Sequence, residues 1–100
     1  MIVYNVTTKV RWDILEAWLT WQVEEQIPAV LATCHFDSHQ LFRLMDQDEE
    51  EGPTFIVQFV TTSRERFQQF ITEHAPALQQ TGWARWGDRS ISFRTVMESL

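Results

Sequence analysis

The sequence is poor in the residues that staple, punctuate or neutralise a chain. Cysteine occurs once, at Cys34. A disulfide framework is therefore excluded, and a reducing, cytoplasmic compartment fits. Glycine and proline number three each, too few for a collagenous or low-complexity chain. Basic residues are also scarce: eight Lys and Arg stand against fourteen Asp and Glu, a formal net charge of −6. That balance opposes nonspecific binding to nucleic acid or anionic membranes, and it reads as a solubilising surface charge. No apolar run approaches the ~20 residues that span a bilayer, and the N-terminus lacks the basic and apolar regions of a signal peptide. Neither a nucleic-acid nor a membrane partner is expected.

Aromatic residues are plentiful. Seven Phe, five Trp and one Tyr fall within 100 residues. A chain of this length makes one domain, residues 1–100, with one modest core. So many rings exceed what such a core hides and point to a second buried surface, such as a subunit interface.

The order of elements follows from changes of hydrophobic period. MIVYNVTTKV alternates, with Ile2, Tyr4, Val6 and Val10 on one parity, and reads as a strand. From Trp12 to about Gln26, Ile14, Leu15, Trp18, Leu19 and Trp21 recur at helical spacing. Pro28 is expected to interrupt that helix, with Ile27 leaving it and a short second helix following to Thr33. Residues 39–46 form a second strand and residues 54–61, TFIVQFVT, a third. Between them DQDEEEGP reads as a solvated hairpin turn, because it lacks the ligand spacing of a calcium loop. Ser63 is a candidate N-cap for a helix carrying Phe67, Phe70, Ile71 and His74 on one side. Pro76 breaks this helix, a continuation reaches Thr81, Gly82 caps it, and residues 90–97 make the last strand.

The result is β-α-β-β-α-β, with an internal echo. EEQIPAVLAT (residues 24–33) and TEHAPALQQT (residues 72–81) agree at Glu25/Glu73, Pro28/Pro76, Ala29/Ala77 and Thr33/Thr81. Both copies close the helix of their half, the mark of a split β-α-β pseudo-repeat. The predicted class is α+β and ferredoxin-like: an antiparallel four-stranded sheet of order 4-1-3-2 with helices on one face.

MIVYNVT at the start, EEQIPAVLAT, EHAPALQ, and ISFRTVMES at the close together resemble a bacterial family of proteins of this length, known as a domain of unknown function. That family is similar to the ferredoxin-like dimeric α+β barrel superfamily. The resemblance implies a homodimer in which two sheets pack face to face with helices outside. Such barrels include cofactor-free monooxygenases, haem-binding enzymes, isomerases and small-molecule sensor domains. Members often carry His where this chain has Gln26, and Gly where it has Cys34. The second departure implies a first helix that ends less sharply than the second does at Gly82.

Candidate site residues come from strand parity. The large apolar positions Ile2, Tyr4, Val6, Phe55, Val57, Phe59, Ile91, Phe93 and Met97 are expected to pack on the helices. The opposite face then carries Val3, Ile56, Val60 and Val96, a patch that monomers seldom expose, together with Asn5, Gln58 and Arg94 in one row. Arg94 suits a carboxylate, and Asn5 and Gln58 suit a carbonyl or hydroxyl; equally, the three can hydrogen-bond across a dimer interface. His74 reads as a partner for a carbonyl freed by Pro76, or as a general base or ligand. Cys34, His35, Asp37 and His39 are closely spaced donors, but no second cluster completes a metal set. Trp18 and Trp21 read as core packing, whereas Trp83 and Trp86 line an opening or pack on a neighbouring subunit. No metal or cofactor is expected. The function read from the sequence is a homodimeric barrel domain with a structural or regulatory role. The alternative is a small-molecule-binding or cofactor-free enzymatic barrel, monooxygenase- or isomerase-like, acting on a small aromatic or carboxylated ligand.

Overall fold

The N-terminal alternation becomes strand β1 (Ile2–Val10), which lies inside a single antiparallel sheet. The computed structural model describes residues 1–100. After β1 come a 3-10 turn at Trp12–Ile14, α1 (Leu15–Trp21), a π-helical turn at Gln22–Gln26, and α2 (Ile27–Leu31). Then follow β2 (Ser38–Arg43), β3 (Thr54–Thr61), α3 (Arg64–Glu73), α4 (Ala75–Trp86), a 3-10 turn and β4 (Ser90–Glu98). The strand order is β2-β3-β1-β4, the expected 4-1-3-2 order read from the other edge. The fold is ferredoxin-like α+β.

Two packed groups hold the helices to one face of the sheet. Ile2, Tyr4, Val57 and Phe59 meet Ile27, Val30, Phe67 and Phe70. Val10 and Phe55 meet Trp18, Trp21 and Trp86 in a second group. Each ring buried here is worth roughly 1.5–3 kcal/mol relative to exposure. Ser63 caps α3 as expected, its hydroxyl accepting from the Arg66 N–H at 3.1 Å. The acidic run forms the loop between β2 and β3, braced by Arg43 on the Glu49 carboxylate at 2.7 Å and by the Trp12 indole donating to the Glu49 carbonyl at 2.8 Å.

The two prolines behave differently despite their matching phrases. Ile27 does not leave the helix; its backbone is helical, with φ −58° and ψ −48°. Instead, the Ile27 N–H bonds the Gln22 carbonyl five residues back. Pro28 offers no N–H, and the widened turn before it relieves the clash between its ring and the preceding turn. In the second half the break is real: His74 departs to φ −122° and α3 ends there. Gly82 is not a cap. It lies inside α4, where an added Cβ would sit 3.6 Å from the Trp21 ring, and Gly87, at φ +57°, ends the helix.

Cys34 also reverses its expectation. It adopts the left-handed conformation, φ +64°, at the end of the first helical half, so that half ends sharply without glycine. An L-residue pays about 1–2 kcal/mol for this conformation. Cys34→Gly is therefore expected to raise stability by roughly 1 kcal/mol in urea titration; unchanged or lower stability would refute the strain.

The parity of β4 is the main correction. Its pairing with β1 sets Arg94 opposite Val6, Val96 opposite Tyr4, Phe93 opposite Thr7 and Met97 opposite Val3. Ser92, Arg94 and Val96 therefore face the helix side, while Ile91, Phe93 and Met97 face away from it. The helices cover β1 and β3 but leave the β4 flank uncovered, so polar side chains are tolerated on that flank. The other sheet face is more apolar than the sequence suggests. One row across it is Val60, Val3, Met97; another is Phe42, Ile56, Thr7, Phe93. Between them runs the polar row Gln40, Gln58, Asn5, Thr95. Ile91 and Phe93 are 66% and 62% exposed.

Candidate ligand-binding cavity

Where the helices leave β4, a cavity of about 370 Å³ opens between sheet and helices. Its floor is Tyr4, Val6 and Thr8 of β1 with Ser92 and Arg94 of β4. Its roof comes from Trp18 and Trp21 of α1, Gln22 and Gln26 of the π-helical turn, and Leu78, Gln79, Gly82, Trp83 and Trp86 of α4. The size falls within the range of small-molecule pockets, and the mixture of rings and few polar groups is theirs too.

Local structure explains how these side chains arrive. The π-helical turn rotates Gln22 inward: it is only 5% exposed and makes no side-chain hydrogen bond, yet it lines the cavity. Gly82 lacks a side chain where α4 crosses Trp21, and a helix-interior glycine costs about 1 kcal/mol relative to alanine. Trp86 is buried between Trp21, ring centroids 5.8 Å apart, and the Arg85 and Arg89 guanidiniums. Its indole Nε1 is sealed from solvent without a partner. Trp83, 62% exposed, stands at the mouth.

Two groups dominate the electrostatics. Burial raises the pKa of the Tyr4 phenol, and the Arg94 charge and the Arg94 and Gln79 polar groups oppose the shift only in part. Tyr4 is therefore a neutral donor at the cavity floor. Arg94 has no carboxylate partner among the ion pairs of the chain. A cationic fork beside a neutral phenol and the Gln22 and Gln26 amides can hold a carboxylate or another planar anion.

The sequence-predicted residues divide between the two faces. Arg94 lines the cavity, whereas Asn5 and Gln58 pair with each other on the opposite sheet face. The predicted convergence of the three does not occur, because β4 parity is inverted. Asn5 instead reaches the Met97 sulfur at 4.0 Å, and its Oδ1 is buried without a partner. His74 lies outside the cavity and bonds no freed carbonyl; its ring packs on Phe70 and faces His35 at 5.0 Å between centroids. The Cys34–His39 donors disperse. Asp37 accepts from Arg66 at 2.9 Å and from the Thr62 N–H at 3.0 Å, contacts that lower its pKa. His39 stacks on Phe59. Trp18 and Trp21 are core residues as read, and also cavity walls. Sequence reasoning missed Tyr4, Gln22, Gln26 and Gln79 as lining residues. Gln22 and Gln26, one turn apart beside the apolar stripe, and a glycine inside α4 were the available signals.

No curated protein matches the chain in sequence. Solved structures do match in fold. An ethyl tert-butyl ether (EthD) family protein from Bacillus halodurans is similar at a TM-score of 0.71, with 13% identity over 100% of both chains. HapK from Hahella chejuensis has a TM-score of 0.71 at 13% identity, covering 100% of this chain and 93% of its own. The cofactor-independent oxygenase SnoaB from Streptomyces nogalater has a TM-score of 0.64 at 14% identity, over 99% and 92%. Identities this low carry the fold alone. A pattern shared along the whole length does more, since the family described as "Domain of unknown function (DUF4286)" matches residues 1–100, and the chain belongs to that family.

Proposed function

We propose that the protein is a homodimer, joined through the open sheet face, whose protomers each bind a small organic molecule in the cavity beside Arg94. The observation that carries the reading is the cavity itself: aromatic walls around a guanidinium with no carboxylate partner, a neutral phenol and the buried Gln22 amide. The aromatic walls favour a largely apolar ligand, and the Arg94 charge favours a carboxylate or similar anion. The open face supports the dimer. Its two apolar rows flank a polar row that includes the unsatisfied Asn5 Oδ1, an arrangement suited to self-complementary packing. Dimerisation alone suits a structural or regulatory role, and a cytoplasmic setting suits the exposed thiol of Cys34.

Binding is favoured over turnover. The titratable groups lining the cavity are Tyr4, Asp88 and Arg94. Burial holds Tyr4 protonated, and no histidine lines the cavity to act with it as an acid–base pair. The oxygenase among the structural neighbours shares the frame; its activity does not follow from that frame.

The test uses 8-anilinonaphthalene-1-sulfonate, an aromatic anion whose fluorescence rises in apolar sites. One saturable site per protomer is expected, weakened roughly 10- to 100-fold in Arg94→Ala, as befits loss of a hydrogen bond to charge. Saturable binding that ignores Arg94, or no saturable binding, would contradict the assignment.

A further inference from the structure

We propose that His35, Glu73 and His74 form a binding site for a divalent first-row transition metal, of which zinc is the natural probe. The sequence separates these residues into two clusters, and the fold joins them. Donor atoms of all three lie within 4.8 Å of one another. The rings of His35 and His74 face at 5.0 Å between centroids with 55° between their planes, so they are not stacked on each other. None of the three lines the cavity beside Arg94.

Three observations separate this cluster from ordinary surface residues. First, the side chains are unengaged. The His35 Nδ1 is sealed from solvent with no hydrogen-bond partner, and Glu73 takes part in no ion pair. A buried ring nitrogen without a partner is costly unless something else satisfies it. Second, the supports are rigid. The Arg66 guanidinium donates to the Cys34 carbonyl at 2.9 Å and pairs with Asp37 at 2.9 Å, pinning the segment that carries His35 to α3. The Phe70 ring packs on His74, and the Phe70 carbonyl accepts its backbone N–H at 2.9 Å. Third, the break before Pro76 serves the site. His74 leaves helical geometry at φ −122°, so consecutive residues Glu73 and His74 both reach His35.

Two imidazoles and one carboxylate suit zinc and its first-row neighbours, and a solvent-facing site leaves a coordination position open. Metal–ligand bonds of about 2.0–2.2 Å require tetrahedral neighbours roughly 3.3 Å apart. The donors must therefore close by up to about 1.5 Å, by rotation of the exposed Glu73 side chain and of the two partly buried imidazoles.

Untagged full-length protein is titrated with zinc chloride by calorimetry, and its thermal unfolding is recorded with and without zinc. One zinc per protomer at micromolar or tighter affinity is expected, with a higher Tm on saturation. His35→Ala, His74→Ala and Glu73→Gln are each expected to weaken binding at least about 10-fold, while His39→Ala and Cys34→Ser leave it unchanged. Glu73 is exposed, so its variant keeps the test valid if a histidine variant fails to fold. Absence of saturable zinc binding, or binding undiminished in Glu73→Gln and in the folded histidine variants, would overturn the site.

Discussion

Phe93→Glu is expected to convert a dimer into a monomer without unfolding the chain. Phe93 is 62% exposed in the single chain, so the sheet tolerates a charge there at little cost. In a face-to-face dimer the same position is buried against the partner sheet, where an unpaired carboxylate costs several kcal/mol. A penalty of about 4 kcal/mol raises the dissociation constant roughly 1000-fold. Light scattering after gel filtration should therefore give the dimer mass for the native chain and the monomer mass for the variant, with matching circular dichroism. Gln69→Glu, on an exposed position of α3, should leave the dimer intact. A variant that remains dimeric would remove the sheet face as the interface.

Gly52→Ala is expected to be the most destabilising small substitution in the protein. A Cβ at Gly52 would lie 1.7 Å from the Val10 carbonyl oxygen and 2.7 Å from its carbon. Both obstacles are backbone, so no side-chain rotation relieves them. The neighbouring Val10 N–H donates to the Pro53 carbonyl at 2.9 Å, and Val10 is wholly buried among Trp18, Trp21 and Trp86. Moving the two segments apart breaks that bond and loosens the ring cluster. A loss of about 3 kcal/mol follows from overpacking plus one buried hydrogen bond, or a fall in Tm of roughly 12–24 °C for a domain of this size. A change below about 0.5 kcal/mol in urea titration would contradict the close approach.

Both predictions rest on features of unequal visibility in the sequence. The element order and the parity of β1 and β3 were legible because those strands are inner strands. Most of their helix-side positions, such as Val57 and Phe59, are large and apolar because the helices bury them. For β4 the rule that the larger apolar set faces the helices fails. It is an edge strand whose helix side borders a cavity, so Arg94 and Ser92 fit there and Phe93 is displaced to the other face.

Arg94 was thus identifiable as a residue of interest, but its location was not. The repeated phrases carried a similar lesson. Pro28 and Pro76 are each followed by Ala and preceded by Glu three residues earlier, yet one is absorbed by a π-helical turn and the other follows a break at His74. Local propensity permits either outcome, and packing of the surrounding helices selects one. The pairing of His35 with Glu73 and His74 arises only when α3 docks beside the segment leading into β2, a contact that no local spacing records.

Native mass spectrometry of freshly purified protein reads the oligomer and the cavity's occupant together. The expected spectrum shows twice the protomer mass, plus a reproducible organic adduct or, after incubation with the aromatic anion, one added molecule per protomer that Arg94→Ala fails to retain. A monomer, or a dimer that takes up no such molecule at saturating probe, would contradict it.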